Sequence, residues 1–437
     1  MCGNCVLQET AFICPMECPK GLRNGPCGGA TEVCYVDATR PCIWYRIYQR
    51  AIRMGREERL MEVLPPLDWG RVGRETWGGV VREVRRVGLG AATRALFTRD
   101  SERRRAVADA VFRPIRQPEW WGGDDKYHAP GYQDPMSQLE RRLRAGEFVV
   151  AAEVTPPLGA HPVRLASDLA LLAPHVTAVN FTDGSSARAR MSSLACSLVA
   201  LQTGIEPVLQ VAARDNTRTG LQGHAVGAAA LGIRNLLAVS GDSPVVGPPP
   251  QARMDWLDLD AVQMLWMLRR LRDDAAYLDG RVLSPPPRYF LGAAASPLAS
   301  TPRIQAMREH KKVNAGAQFL QTNLVFEVGA LDPWLEELGG RGILDRVFVL
   351  VGVPLLRTLK VALYLHEKVP GVTVPTRVLD RLERAGADAA EEGFQMALET
   401  VTALRSRTGV SGVHLITMGW EGAVPRLVTE AGIGGGA

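Results

Sequence analysis

From residue 137 onward the chain repeats one unit: a short apolar run, a polar stop, then apolar residues at helical spacing. The clearest copy is EPVLQVAARDNTRTGLQGHAVGAAALGIRNLLAVSGDSP, residues 206–244. VLQVAA and NLLAVS read as strands, with LQGHAVGAAALGI as the helix between them. Such a βαβ unit wants parallel pairing and a right-handed crossover. Six further apolar runs bring the candidate strands to eight: FVVAAEV, VTAVNFT, PVLQVAA, NLLAVSG, YFLGAAA, QFLQTN, VFVLVG and VHLIT. Each is apolar at consecutive positions, as a strand buried on both faces must be. Eight such strands with helices between them, over roughly 300 residues, is the arithmetic of an α/β fold of the (β/α)8 TIM barrel type. A doubly wound sheet is the alternative, but no G-x-G-x-x-G opens the first βα turn.

In parallel α/β architectures, function collects where the strands end. Here the ends carry Glu153 then Thr155-Pro156-Pro157, Thr182 and Asp183, Gln210 then Arg214-Asp215-Asn216, Asp242, and Gln321 with Asn323. The fifth strand runs into Gly292-Ala293-Ala294-Ala295, where small side chains let a flat ligand approach the backbone. An Asp after a strand also serves as the N-cap of the next helix. A carboxylate near the end of an apolar strand, such as Glu153, needs a buried partner or a catalytic reason. The purely structural alternative is a Glu held by an Arg.

Ahead of the repeat lies a different kind of chain. Seven of the eight cysteines fall in the first 42 residues: Cys2, Cys5, Cys14, Cys18, Cys27, Cys34 and Cys42. Cys196 stands apart in an apolar helical stretch, as a small buried hydrophobe. An odd, dense cluster argues for metal over a disulfide scaffold. Metal–thiolate centres favour such loop-rich, Gly- and Pro-containing chain, because tight turns aim backbone N–H groups at sulfur. Residues 1–64 are therefore expected to be a cysteine-rich metal-binding module, helical from Ile43 to Leu64. Residues 65–136 form a helical segment and linker, and residues 137–437 the barrel. PEWWGGDDKYHAPGYQDP, with Trp120, Trp121 and Tyr127, is expected to pack against a neighbouring domain.

At 437 residues, 46% hydrophobic and 22% charged, the composition is that of an ordinary globular protein. No apolar run is long enough to span a bilayer and no signal peptide is evident, so the expected location is the cytoplasm. The net charge of +5 is small for this size, and the Arg-rich stretch from Arg82 to Arg116 is interspersed with acids and aliphatics. It reads as a solvated helix face or a surface for an acidic redox partner, with no nucleic acid called for.

At the strand ends the sequence resembles the methylenetetrahydrofolate reductases, from about Glu147 to Met418. Glu153-Val154-Thr155-Pro156-Pro157 matches the family's first-strand acid and Pro pair, LQVAARDN its third strand, and GIRNLLAVSGDSP its fourth-strand Gly-Asp. Lys312-Val313-Asn314-Ala315-Gly316-Ala317 followed by FLQTN matches the run into strand six, and VGVPLLRTLKVALYLHEKVPGVTVP is also similar. The segment CGNCVLQETAFICPMECPKGLRNGPCGG with CIWYRIYQR resembles something separate. It looks like the C-terminal domain of a partner subunit found beside this reductase in acetogen-type bacteria and associated with iron–sulfur and zinc binding.

The resemblance implies a flavin, FAD or FMN, across the barrel mouth, with 5,10-methylenetetrahydrofolate stacked on it. Glu153 would protonate the folate's bridging nitrogen and open its five-membered ring, which needs a carboxylic acid kept protonated near neutral pH by burial. Reduced flavin would give a hydride to the resulting iminium cation, and an ionised Asp242 would hydrogen-bond the pterin and offset that cation. Asn323 stands where the family usually has a Gln on folate, with Gln321 as a substitute. Thr182, Asp215, Asp242, Ala294 and Lys312 are the implied cofactor contacts. FLGAAASPLAS lacks the Tyr or His that some members use against adenine and nicotinamide, which weakens direct use of NAD(P)H. Electrons would then come from a ferredoxin or partner flavoprotein through a [4Fe–4S] cluster.

Seven thiols exceed one four-ligand site, so a cluster, a zinc, or both remain open; Cys2, Cys5, Cys14 and Cys18 have the closest spacing. The chain is expected to be an oligomer. The competing reading is a folate-binding barrel that hands methyl-folate to a methyltransferase partner and reduces nothing.

Overall fold

A computed structural model describes residues 3–28, 31–34, 36–74, 77–90, 93, 102–103, 106–107, 110, 117–247, 257–369 and 371–434. Cys2, most of the Arg-rich stretch and most of the loop after Gly247 lie outside these residues. The eight expected strands are all present and close in sequence order into a barrel. They are β1 (Val149–Val154), β2 (Ala178–Phe181), β3 (Pro207–Ala212), β4 (Asn235–Val239), β5 (Phe290–Ala295), β6 (Phe319–Leu324), β7 (Phe348–Pro354) and β8 (Gly412–Ile416). Every pairing is parallel, and β1 closes on β8 through Ala151↔His414 and Glu153↔Ile416. Among the described residues, no helix is long and apolar enough to cross a membrane.

Register decides which side chains enter the barrel. Paired residues point to the same face and alternate along each strand. Val149, Ala151 and Glu153 therefore share the inner face with Asn180, Gln210, Leu237, Gly292, Gln321 and His414. The lower interior is filled by Val149, Val208, Phe290, Phe319 and Leu350, and Leu139 and Leu143 of the helix Gln138–Arg144 seal it from below. Gly292 is small for a reason other than a ligand: a Cβ there would come within 2.2 Å of the Phe319 ring, which stacks on Phe290 at 4.9 Å. The amino end is thus plugged, and only the carboxyl end is open.

The cysteine-rich segment shares one continuous core with the barrel's outer helices. Its helix α1 (Ile43–Arg53) buries Ile43, Trp44, Ile47, Tyr48 and Ala51. It stops short of the expected Leu64, because Gly55 turns the chain at φ +61° and residues Glu57–Met61 continue as a 3-10 turn. The Trp/Gly-rich stretch packs as expected. Trp121 is fully buried, donates to Val63 O at 3.1 Å and lies against Trp266 of the helix Ala261–Asp273.

A buried polar network makes the junction specific. Asp260 caps that helix through Gln263 N at 2.9 Å, and it accepts from Arg23 N and Asn24 Nδ2 at 3.1 Å each. Asn24 also exchanges hydrogen bonds with the backbone of Leu64. Lys311 is buried at the same junction. Burial pulls its pKa down to about 8, against the opposing pull of Asp260, Glu62 and Glu9.

A depressed lysine pKa disfavours the folded, protonated form, so its penalty is full below pH 8 and is relieved as pH rises toward the unfolded value of 10.5. Lys311→Met removes that term. Relative to this variant, the wild type should gain about 3 kcal/mol of unfolding free energy across that window. Urea titrations of both proteins at the two ends of the window measure the difference, and parallel pH profiles would exclude this role for Lys311.

Candidate active site at the barrel mouth

The carboxyl ends of the strands open into a cavity of ≈ 1130 Å³. Its lining includes Glu153, Thr182, Asp242, Ala294, Lys312, Gln321 and Asn323 together. Of the barrel residues expected at the site, Asp215 alone is absent from that lining. Its side chain is 63% exposed and grips Arg214. The 3-10 turn Ala213–Asp215 aims Arg214 inward and Asp215 out. The acid that does line the cavity beside Thr182 is Asp183, whose carboxylate accepts from Ala212 N at 2.9 Å and is pushed up in pKa by burial.

Asp242 is rigidly placed. Its Oδ2 accepts from Ser186 N at 2.7 Å, and Arg214 donates to its backbone oxygen at 3.2 Å. The Ser186 contact needs unusual backbone, with Ser186 at φ +54°. Strained turns of this kind persist where the surroundings over-determine them, often at functional sites. Gly241, at φ +81°, could not carry a side chain, since a Cβ would meet the Arg214 Cβ at 2.8 Å.

Glu153 is one-fifth exposed, and its Oε2 lies 3.5 Å from His414 Nε2. Among the described residues no Arg pairs with it, so the structural alternative of an Arg-held Glu is not what the fold provides. Gln321 is nearly fully buried, and its amide is taken up in a reciprocal pair with Asn180 across the barrel. That leaves Asn323, nearer the mouth, as the more available amide. Lys312 forms an ion pair with Glu309 at 2.8 Å and donates to Ala294 O; burial pulls its pKa down to about 8.

The cysteine-rich segment supplies one wall of the same cavity. Lys20, Leu22, Asn24, Gly25, Pro26, Cys27 and Gly28 all line it, and Lys20 Nζ donates to Gly241 O at 2.5 Å. Lys20 and Arg308 thus join Lys312 around the mouth. Neither was legible as a site residue: Lys20 lies 221 residues from its partner. His414 was also missed, inside an apolar-looking strand.

Behind that wall, Cys18, Cys27, Cys34 and Cys42 line one pocket with Pro19, Pro41, Ile43 and Trp44. Burial pushes the Cys27 thiol up to about 12, and raises Cys18 and Cys42 as well. Cys5 is exposed and Cys14 half-buried, neither lining this pocket. The four thiols that share this pocket are thus not the four closest in sequence. Among the described residues, no three His, Cys, Asp or Glu side chains are set to hold a single metal ion. Cys196 is buried in the helix Ser193–Gln202, as expected.

Comparison with known proteins adds two matches along the chain. A family model described as methylenetetrahydrofolate reductase matches residues 138–432, and one described as methylene-tetrahydrofolate reductase C terminal matches residues 1–70. A Caenorhabditis elegans protein named probable methylenetetrahydrofolate reductase (NADPH) is 24% identical in an alignment of 254 positions that covers 55% of this chain. The chain spans only 34% of that relative's length.

Two solved structures are similar in outline. One is an uncharacterized Clostridium thermocellum protein described as binding two copies of 5-methyl-5,6,7,8-tetrahydrofolic acid. It has a TM-score of 0.46 and 12% identity, covering 67% of this chain and 97% of that one. The other is the coenzyme F420 dependent tetrahydromethanopterin reductase of Methanopyrus kandleri, with a TM-score of 0.42 and 14% identity, covering 65% and 98%. At those identities and scores neither likeness says what this chain binds.

Proposed function

The chain belongs to the methylenetetrahydrofolate reductase family, and from that premise we propose that it reduces 5,10-methylenetetrahydrofolate to 5-methyltetrahydrofolate with a bound flavin. The observation that carries the reading is the meeting of Glu153 and Asp242 in one cavity at the open end of the barrel. Two carboxyl groups in different surroundings suit the two roles the reaction needs, a proton donor and a fixed anion. Glu153 protonates the bridging nitrogen of the folate, so that the ring opens and a cationic iminium carbon is left. Asp242, tied to Ser186 N, offsets that charge from a preorganised position.

A flavin fits the residues present. Thr182 Oγ1 is buried without a hydrogen-bond partner among the described residues, and it lines the cavity. Lys20, Arg308 and Lys312 offer positive charge for a phosphate group, and Ala294 keeps one wall low. FAD and FMN both suit this set. The flavin, when bound, supplies the hydride. The residues of the chain orient the folate, hold the proton at Glu153 and narrow the access of water.

For electron supply we favour an iron–sulfur cluster held by Cys18, Cys27, Cys34 and Cys42. These four thiols line one pocket, and four thiolates are a ligand set that both a [4Fe–4S] cluster and a structural zinc accept. Cys27 lines both that pocket and the barrel mouth, so a centre held there would border the active site. A ferredoxin or partner flavoprotein is the matching donor, with NAD(P)H the alternative.

An anaerobic visible spectrum of the purified chain, before and after 5-methyltetrahydrofolate, tests the whole reading. A flavin band should bleach as hydride returns from the methyl group, over a broad brown shoulder that Cys27→Ser removes and Cys5→Ser leaves. A flavin that stays oxidised with folate bound would instead favour a barrel that only carries methyl-folate. Loss of the shoulder in Cys5→Ser alone would refute this thiol set.

A further inference from the structure

We propose that His414 is a positioning residue for Glu153, fixing the carboxyl group at the floor of the barrel mouth through its Nε2. The inference rests on the reading of Glu153 as the proton donor.

The register places it. His414 pairs with Ala151 on one side and Gly352 on the other. Neither neighbour has a side chain large enough to fill the interior at that level, so the imidazole takes the space beneath Glu153. The ring is almost fully buried, and its Nε2 faces Glu153 Oε2 at 3.5 Å. Its Nδ1 is buried with no partner among the described residues. A histidine kept only for packing would leave two polar nitrogens in an apolar layer, where a leucine would fill the space at no such cost. The contact with Glu153 is the polar engagement that sets this ring apart from packing.

In its Nε2–H tautomer the ring would turn a donor toward Oε2, 3.5 Å away, and leave Oε1 for the substrate nitrogen. When Glu153 passes its proton to that nitrogen, the C–N bond of the folate ring breaks and the new carboxylate keeps the His414 donor. The other charged groups around this cavity are Asp183, Asp242, Asp260, Glu367, Arg188, Arg190, Arg308, Lys312, Lys368 and Lys20, and Glu421 lies behind Thr417, which donates to Glu153 O at 2.8 Å.

The test is single-turnover oxidation of the reduced holoenzyme by methylenetetrahydrofolate, followed at the flavin band across pH, for His414→Leu, His414→Gln and Glu153→Gln. His414→Leu should slow the step about tenfold or more, because the contact that fixes the carboxyl group is gone. His414→Gln, whose Nε2 can reach the place of the imidazole Nε2, should restore the rate. Flavin content and reduction by dithionite should match wild type in all three.

A His414→Leu enzyme with wild-type rate overturns the inference, as does equal impairment of Leu and Gln variants with flavin lost, which marks a packing role. Glu153→Gln separates the two levels. If it retains full rate, the proton-donor reading itself fails. If it is impaired while His414→Leu is silent, only the role of His414 fails.

Discussion

Glu153→Gln should slow folate-dependent turnover by about 10²–10⁴-fold, the usual contribution of a positioned general acid. Gln has nearly the same volume and can keep the contact with His414 Nε2, which lies 3.5 Å from the carboxylate, so the variant should fold normally. It cannot release a proton, and only the proton is being tested. Flavin content should be unchanged, since the side chains suited to the cofactor are Thr182, Lys312, Lys20 and Arg308. Reduction of the flavin by an artificial donor should likewise be unaffected. Steady-state turnover and stopped-flow oxidation of the reduced enzyme by methylenetetrahydrofolate provide both readouts. A variant within a few-fold of wild type would assign the proton to another group, with Asp183, raised by burial at the same mouth, as the first to examine.

The barrel was legible because its strands are buried on both faces, so each appears as an uninterrupted apolar run bounded by polar stops. The same property hides side-chain direction. With no alternation to read, the sequence shows Glu153 and Asp242 at strand ends, but it cannot show that the turn after β3 aims Arg214 inward and Asp215 outward. Gln321 looked like a free amide beside Asn323; Asn180, 141 residues away, occupies it. VHLIT gave no hint that its histidine sits on the inner face next to Glu153. Small residues on β5 suggested room for a ligand, and for Gly292 the occupant is the Phe319 ring. The cysteines were legible as a cluster, while their grouping was not. Loops fold by long-range contacts, and Cys18, Cys27, Cys34 and Cys42 meet around one pocket although Cys14 and Cys18 are closer in sequence.

Asp260→Ala should destabilise the protein by about 3–5 kcal/mol, the cost typical of removing one partner from a buried charged network. Asp260 is nearly fully buried and accepts from Arg23 N, Asn24 Nδ2 and Gln263 N. It also supplies negative charge to the buried Lys311. The Ala variant loses the N-cap of the helix Ala261–Asp273, removes the acceptor shared by Arg23 N and Asn24 Nδ2, and strands the Lys311 ammonium with less opposing charge. Asp260→Asn keeps an oxygen for capping while losing the charge, and should fall between the two. Urea unfolding of the three proteins at one pH measures the series, and an Ala variant within about 1 kcal/mol of wild type would rule out the network as the main tie. The consequence reaches the site. Arg23 and Asn24 sit between Lys20 and Cys27, and that segment walls the barrel mouth through Lys20 on Gly241 O. Flavin should therefore be lost from Asp260→Ala at lower urea than unfolds the barrel. In wild type the two transitions should coincide, because the wall and the barrel share one core.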